Sequence, residues 1–166
     1  MRVNIPEELL HPFFFSTETV TVETAQTLSQ QPFFINELLL FNKEKNQVKW
    51  PWEEPAKRIE PLLTEWKTVK QALQGKFSRR ERDIQGEMKA AVALFFMMLF
   101  WTNSHPVILN DWRISISEFQ VKAFNVEERL HFILQRPYSY QAFVQIGEMM
   151  EEQHKQFVKF NIINKK

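Results

Sequence analysis

Ala90-Ala91-Val92-Ala93-Leu94-Phe95-Phe96-Met97-Met98-Leu99-Phe100-Trp101 is an unbroken apolar run. As a helix it would be apolar on every face, which in water requires other elements packed all round it. At ~1.5 Å per residue the run rises about 18 Å, against roughly 30 Å of bilayer hydrocarbon. Thr102-Asn103-Ser104-His105-Pro106 then breaks it. The stretch predicts a long, centrally buried helix and no membrane insertion. The fold class that follows is all-α: an irregular helical bundle with a proline-rich N-terminal third.

Working outward, Ser78 and Glu81 stand at capping-box spacing ahead of the run, which predicts one helix from about Arg79 to about Asn103. Upstream, Leu62, Trp66, Val69 and Leu73 recur at helical spacing on one stripe, with Pro61 placed to open that helix and Gly75 to end it. Downstream, residues 107–124 read as an extended linker, because Ile114-Ser115-Ile116-Ser117 alternates like a strand. Asn125 and Glu128 mark the next helix start, with Val126, Leu130, Ile133 and Leu134 on one face and Pro137 as its stop. Ser139 is placed to cap a last helix reaching about Phe160 and burying Phe143, Ile146, Met150 and Phe157. A basic Lys165-Lys166 tail follows.

The N-terminal third is punctuated by proline. Pro32 is placed to open a short helix through Phe41, Asn42 to Lys49 reads as a loop, and Trp50-Pro51-Trp52-Glu53-Glu54-Pro55 as a stiff connector. Residues 1–54 are thus expected to be irregular with short helices and 55–166 to form the main bundle. The whole chain, 1–166, is expected to be one domain.

Composition supports a packed core. Of 166 residues 44% are hydrophobic and 25% charged, within the globular range. The aromatic content is mostly phenylalanine, 16 against 2 tyrosines, so most rings need no hydrogen-bond partner when buried. Cysteine is absent, which removes disulfides, thiolate metal sites and thiol nucleophiles. Glu7 and Glu8 sit where a signal peptide would be apolar, so secretion is not expected and an intracellular address fits. Net charge is +1, split about −3 over residues 1–60 and about +4 beyond them. Gly75, Gly86 and Gly147 are too scattered for a phosphate-cradling loop.

Four groups of residues are candidates for chemistry. Glu128 with His131, and Glu151 with His154, have the Glu-x-x-His spacing of di-metal helical bundles. Glu128 lies opposite the Leu130 and Ile133 face and should meet solvent, whereas His154 falls on the Phe143, Met150 and Phe157 stripe with Glu151 at its edge. Only the second pair is a metal candidate, and a hydrogen-bonded core histidine is the simpler reading. No arginine precedes any histidine at the five- to seven-residue spacing of helical ribonucleases of the HEPN type. Lys76, Arg79, Arg80 and Arg82, with Lys67 and Lys70 before them, form a basic turn suited to phosphates but diluted by Glu81 and Asp83. Arg129, Arg136, Tyr138 and Tyr140 surround the break at Pro137 and suit a partner-binding seam. The bland alternative is that Arg136 answers helix-end carbonyls and the tyrosines pack on the seam.

The segment from Asn125 through Arg129, Arg136-Pro137-Tyr138-Ser139-Tyr140 and on to Gln145 resembles the C-terminal half of the YpoC-like proteins of Bacillus-type bacteria. Length and the apolar helix are also similar. The resemblance implies a cytoplasmic location in a Gram-positive bacterium and an association with DNA replication and repair, beside whose genes the family's genes tend to sit. It carries no catalytic residues. The expected function is a non-enzymatic interaction or accessory protein with an unidentified protein partner and no cofactor. Nucleic-acid binding through Lys76 to Arg82 is the alternative, and a metal-dependent helical enzyme a third reading.

Overall fold

The computed structural model describes residues 1–23, 25–46 and 48–164; the Lys165–Lys166 tail lies outside them. Among these residues six α-helices, α1 (Ile35–Phe41), α2 (Pro55–Ser78), α3 (Gln85–Trp101), α4 (Trp112–Ser117), α5 (Val126–Gln135) and α6 (Tyr140–Asn164), follow a small hairpin. That hairpin pairs β1 (Arg2–Asn4) antiparallel with β2 (Thr19–Thr21), Val3 opposite Val20. The fold is all-α in character, with α3 at the centre.

No residue from Ala90 to Trp101 is more than 4% exposed. α2 and α6 pack against α3, and the N-terminal third completes the cover. Phe14 lies edge-on to Phe96 at 6.1 Å and also meets Phe33 and Phe34. One hydrophobic cluster therefore runs from Val3 to Phe157. An all-round apolar helix is stable in water only when enclosed in this way. Among the described residues, no helix is long and apolar enough to cross a membrane.

The α2 stripe packs as expected, with Ile59, Leu62, Trp66, Val69 and Leu73 all buried. Its boundaries are different. Pro55 opens the helix and Pro61 lies inside it, where the missing N–H leaves one helical bond unmade. The helix also continues past Gly75 to Ser78. There Arg80 adopts φ 57°, the Glu81 amide reaches the Lys76 carbonyl at 2.9 Å and the Arg80 amide reaches Phe77 at 3.1 Å. This is a Schellman ending with arginine in the left-handed position. Ser78 is consequently the end of α2 and no cap of α3, and α3 begins only at Gln85, not at Arg79.

The same device recurs at Lys43 and Ser104, where Glu44 and His105 reach back to Leu39 and Phe100. Phe34, Asp111 and Asn125 are left-handed ahead of α1, α4 and α5. All three glycines meanwhile lie within helices. Each left-handed non-glycine costs about 1–2 kcal/mol, which the surrounding packing offsets. α1 accordingly starts after Phe34 and not at Pro32.

Residues 112–117 are helical, correcting the extended reading. Ile116 is fully buried and Ile114 is 70% exposed. Positions two apart on a helix face opposite ways, so an alternating pattern this short fits either element. The Trp50–Pro55 stretch is also more than a connector. It holds a 3-10 turn, Pro51–Glu53, with Trp52 buried and the Trp50 amide donating to Glu53 Oε2 at 2.7 Å. Asn125 precedes α5 without a side-chain cap. Ser139 does cap α6, its hydroxyl accepting from the Ala142 amide at 3.1 Å, and α6 extends to Asn164.

Candidate functional site

Two turns, α2–α3 and α5–α6, come together at one end of the bundle. The link is Phe77, in the last turn of α2, whose ring lies 5.3 Å from both Tyr140 and Phe143. The basic turn and the tyrosine seam are therefore neighbours, although about sixty residues separate them in sequence. Beside them Tyr138 approaches Phe13 at 6.1 Å, and the Lys89 ammonium lies 5.9 Å from the same Phe13 ring.

The charges of this face divide into two sets. Lys76 pairs with Glu87 at 2.6 Å and donates to the Asp83 carbonyl at 2.7 Å; the hydrogen bond it donates to the Glu87 carboxylate holds its ammonium above the ordinary lysine value. Arg79 pairs with Glu81 at 2.8 Å. That hydrogen bond raises the guanidinium and lowers the carboxyl. Among the described residues Arg80, Arg82, Lys89 and Arg136 have no ion pair, against Asp83 as the one unpaired acid of the α2–α3 turn. Tyr138 is 38% and Tyr140 57% exposed, and partial burial raises the Tyr138 phenol.

Arg129 lies apart from this set. Its guanidinium donates to both carboxylate oxygens of Glu152 at 3.0 and 2.8 Å, to Gln145 at 2.9 Å and to the Phe124 carbonyl at 2.9 Å. It ties α5 to α6, and its hydrogen bonds hold the Glu152 carboxyl below the ordinary value. Lys67 and Lys70 lie within α2, Lys67 exposed and Lys70 half-buried.

The inward polar residue of α6 is Gln153, fully buried, where the sequence pointed to His154. Gln153 accepts from the Ala123 amide and donates to Thr102 Oγ1 and the Val121 carbonyl. His154 is half-buried and Glu151 exposed; no cluster of metal-ligating side chains occurs among the described residues. A step of one residue, about 100° around the helix, was enough to exchange the two. Glu128 is exposed as expected and pairs with Arg113 at 3.3 Å.

Two titratable groups escaped the sequence reading. Glu37 is fully enclosed, its Oε2 accepting from the Trp101 indole N–H at 2.8 Å and the Val107 amide at 2.9 Å, while Oε1 has no partner. Burial raises its carboxyl to about 7. His11 is lowered by burial, and its Nδ1 accepts from the Phe13 amide. Phe77 was missed as well, since nothing local distinguishes a ring that bridges two turns from one in the core.

A completely covered apolar helix, a hairpin-led aromatic N-terminal cover and a cationic, tyrosine-bearing end define the chain as an all-α protein. The YpoC-like protein family model matches residues 56–165, a span that begins in the first turn of α2 and takes in α3 to α6. An uncharacterized protein YpoC of Bacillus subtilis (strain 168) is 32% identical over 117 residues, covering 69% of this chain and 71% of that relative. The chain belongs to the YpoC-like family, in keeping with the resemblance of residues 125–145. No solved structure matches.

Proposed function

We propose that this chain is a non-enzymatic accessory protein of the bacterial cytoplasm that holds a macromolecule on the face between the α2–α3 and α5–α6 turns. The observation that carries this is the juxtaposition across Phe77. It gathers exposed guanidinium groups without ion pairs and half-packed tyrosines whose hydroxyls make no hydrogen bond among the described residues. Such groups combine contact area with directional donors, which is why they anchor interfaces. The titratable groups support the same reading. A catalytic acid or base must reach substrate, whereas Glu37, raised to about 7, is sealed beneath Trp101.

The test is capture from a Bacillus cytoplasmic extract, with and without nuclease, using wild type and an Arg136→Ala, Tyr138→Ala, Tyr140→Ala variant. A specific companion should be held by wild type and lost by the variant at unchanged helix content. Retention of the same companions by both would remove this face from consideration.

A further inference from the structure

We infer that the ligand of this face is single-stranded nucleic acid, its phosphates held by Arg80, Arg82 and Arg136 and its bases stacked on Tyr138 and Tyr140. The inference rests on the face proposed above and names its ligand class. Single strands are gripped where a cationic track runs beside exposed aromatic rings, because each phosphate needs a cation and each unpaired base presents a π-face. The backbone positions of Arg80 and Arg136 are joined to the tyrosines by one short chain of contacts, with Arg82 two residues beyond Arg80. The Arg80 amide bonds the Phe77 carbonyl at 3.1 Å, the Phe77 ring touches Tyr140 at 5.3 Å, and the Ser139 amide bonds the Arg136 carbonyl at 3.3 Å.

Charge on the face favours a polyanion. Glu81 and Glu87 are neutralised by Arg79 and Lys76, leaving Arg80, Arg82, Arg136 and Lys89 opposed in this turn by Asp83. A guanidinium at the end of a helix segment has a local role only when it answers a carbonyl or an acid. Among the described residues the Arg80, Arg82 and Arg136 side chains do neither. An apolar protein partner is a poorer fit, since burying three unpaired guanidinium groups against it would cost more than their contact returns. Duplex DNA would engage the cations but leave the tyrosines without bases to stack on.

The experiment is fluorescence anisotropy of the purified full chain with labelled single-stranded DNA of about 15 nucleotides, RNA of the same sequence, and the DNA duplex. Binding of either single strand in preference to duplex is expected, and the tighter of the two identifies the natural source. With three phosphate contacts the log–log salt slope should be about −2, or roughly ten- to twentyfold weaker binding between 50 and 200 mM salt. Tyr138→Ala with Tyr140→Ala should weaken binding by about tenfold or more. Because Tyr140 packs on Phe77, a second variant, Arg82→Glu with Arg136→Glu, changes only exposed side chains and should abolish measurable binding.

Absence of binding at low salt, or affinity indifferent to both variants, overturns the inference. So does duplex preference that ignores the tyrosines. If a nuclease-resistant protein is lost from the capture experiment while oligonucleotides fail to bind, the ligand class is wrong and the face stands. If neither readout responds to the variants, both readings fall.

Discussion

Glu37→Gln tests the strongest electrostatic feature of the molecule. The Glu37 side chain is enclosed between α1, Trp101 and the Val107 amide, and burial raises its carboxyl from 4.5 to about 7 against the opposing hydrogen bonds. Between these two values the folded chain holds a proton that the unfolded chain has released. Stability from this group is therefore fully present below about pH 4.5, declines as pH rises, and is lost once pH passes about 7. At about 1.4 kcal/mol per pH unit, the gap is worth roughly 3 kcal/mol. Glutamine is neutral throughout and keeps the carbonyl that accepts from Trp101 and Val107. Its amide nitrogen takes the place of the unpartnered Oε1, at a cost of about 1–3 kcal/mol for an unsatisfied donor. Guanidinium unfolding followed by tryptophan fluorescence from pH 4.5 to 8 gives both curves, and their difference isolates Glu37 because all other groups titrate in both proteins. The variant should be the less stable at pH 4.5 and match or exceed wild type at pH 8. A difference constant within about 0.5 kcal/mol across the range would refute the reasoning.

Arg129→Ala should cost about 1–2 kcal/mol at neutral pH by releasing α5 from Glu152, the figure being reduced for partial solvent screening. Because Arg129 lowers the Glu152 carboxyl, that contribution is present above about pH 4.5 and lost as pH falls below it; denaturant midpoints at pH 7 and pH 3.5 check the trend. Phe96→Ala removes a fully buried ring packed on Phe14, Phe100 and Trp112 and should destabilise by about 3–5 kcal/mol in calorimetry or chemical unfolding. Gly86→Ala adds a methyl with no atom within 4 Å in the first turn of α3, and should raise stability by about 0.5–1 kcal/mol in the same assay.

The apolar run at 90–101, the α2 stripe and the Ser139 cap were legible in the sequence because each is local. Helical spacing alone sets which side chains share a face, whatever lies opposite. The same locality exposed the 125–145 segment that resembles the YpoC-like family. Helix ends were less legible. Endings are usually read from glycine, and here Arg80, Lys43 and Ser104 take the left-handed positions under tertiary constraint. The strand-like alternation at 114–117 needed a core on one side before it could be read as a helical turn. His154 and Gln153 are adjacent in sequence, and only the docked position of α6 decided that the glutamine would meet Thr102, Val121 and Ala123.

The candidate face shows the division most clearly. Its residues were visible as two separate groups, Lys76 to Arg82 and Arg129 to Tyr140, since charge and ring type are properties of single positions. Tertiary structure alone brought the turns together through Phe77 and Tyr140, and it turned Arg129 away towards Glu152. Adjacency between segments so far apart depends on how whole helices pack on α3, a sum over many weak contacts that no local pattern records.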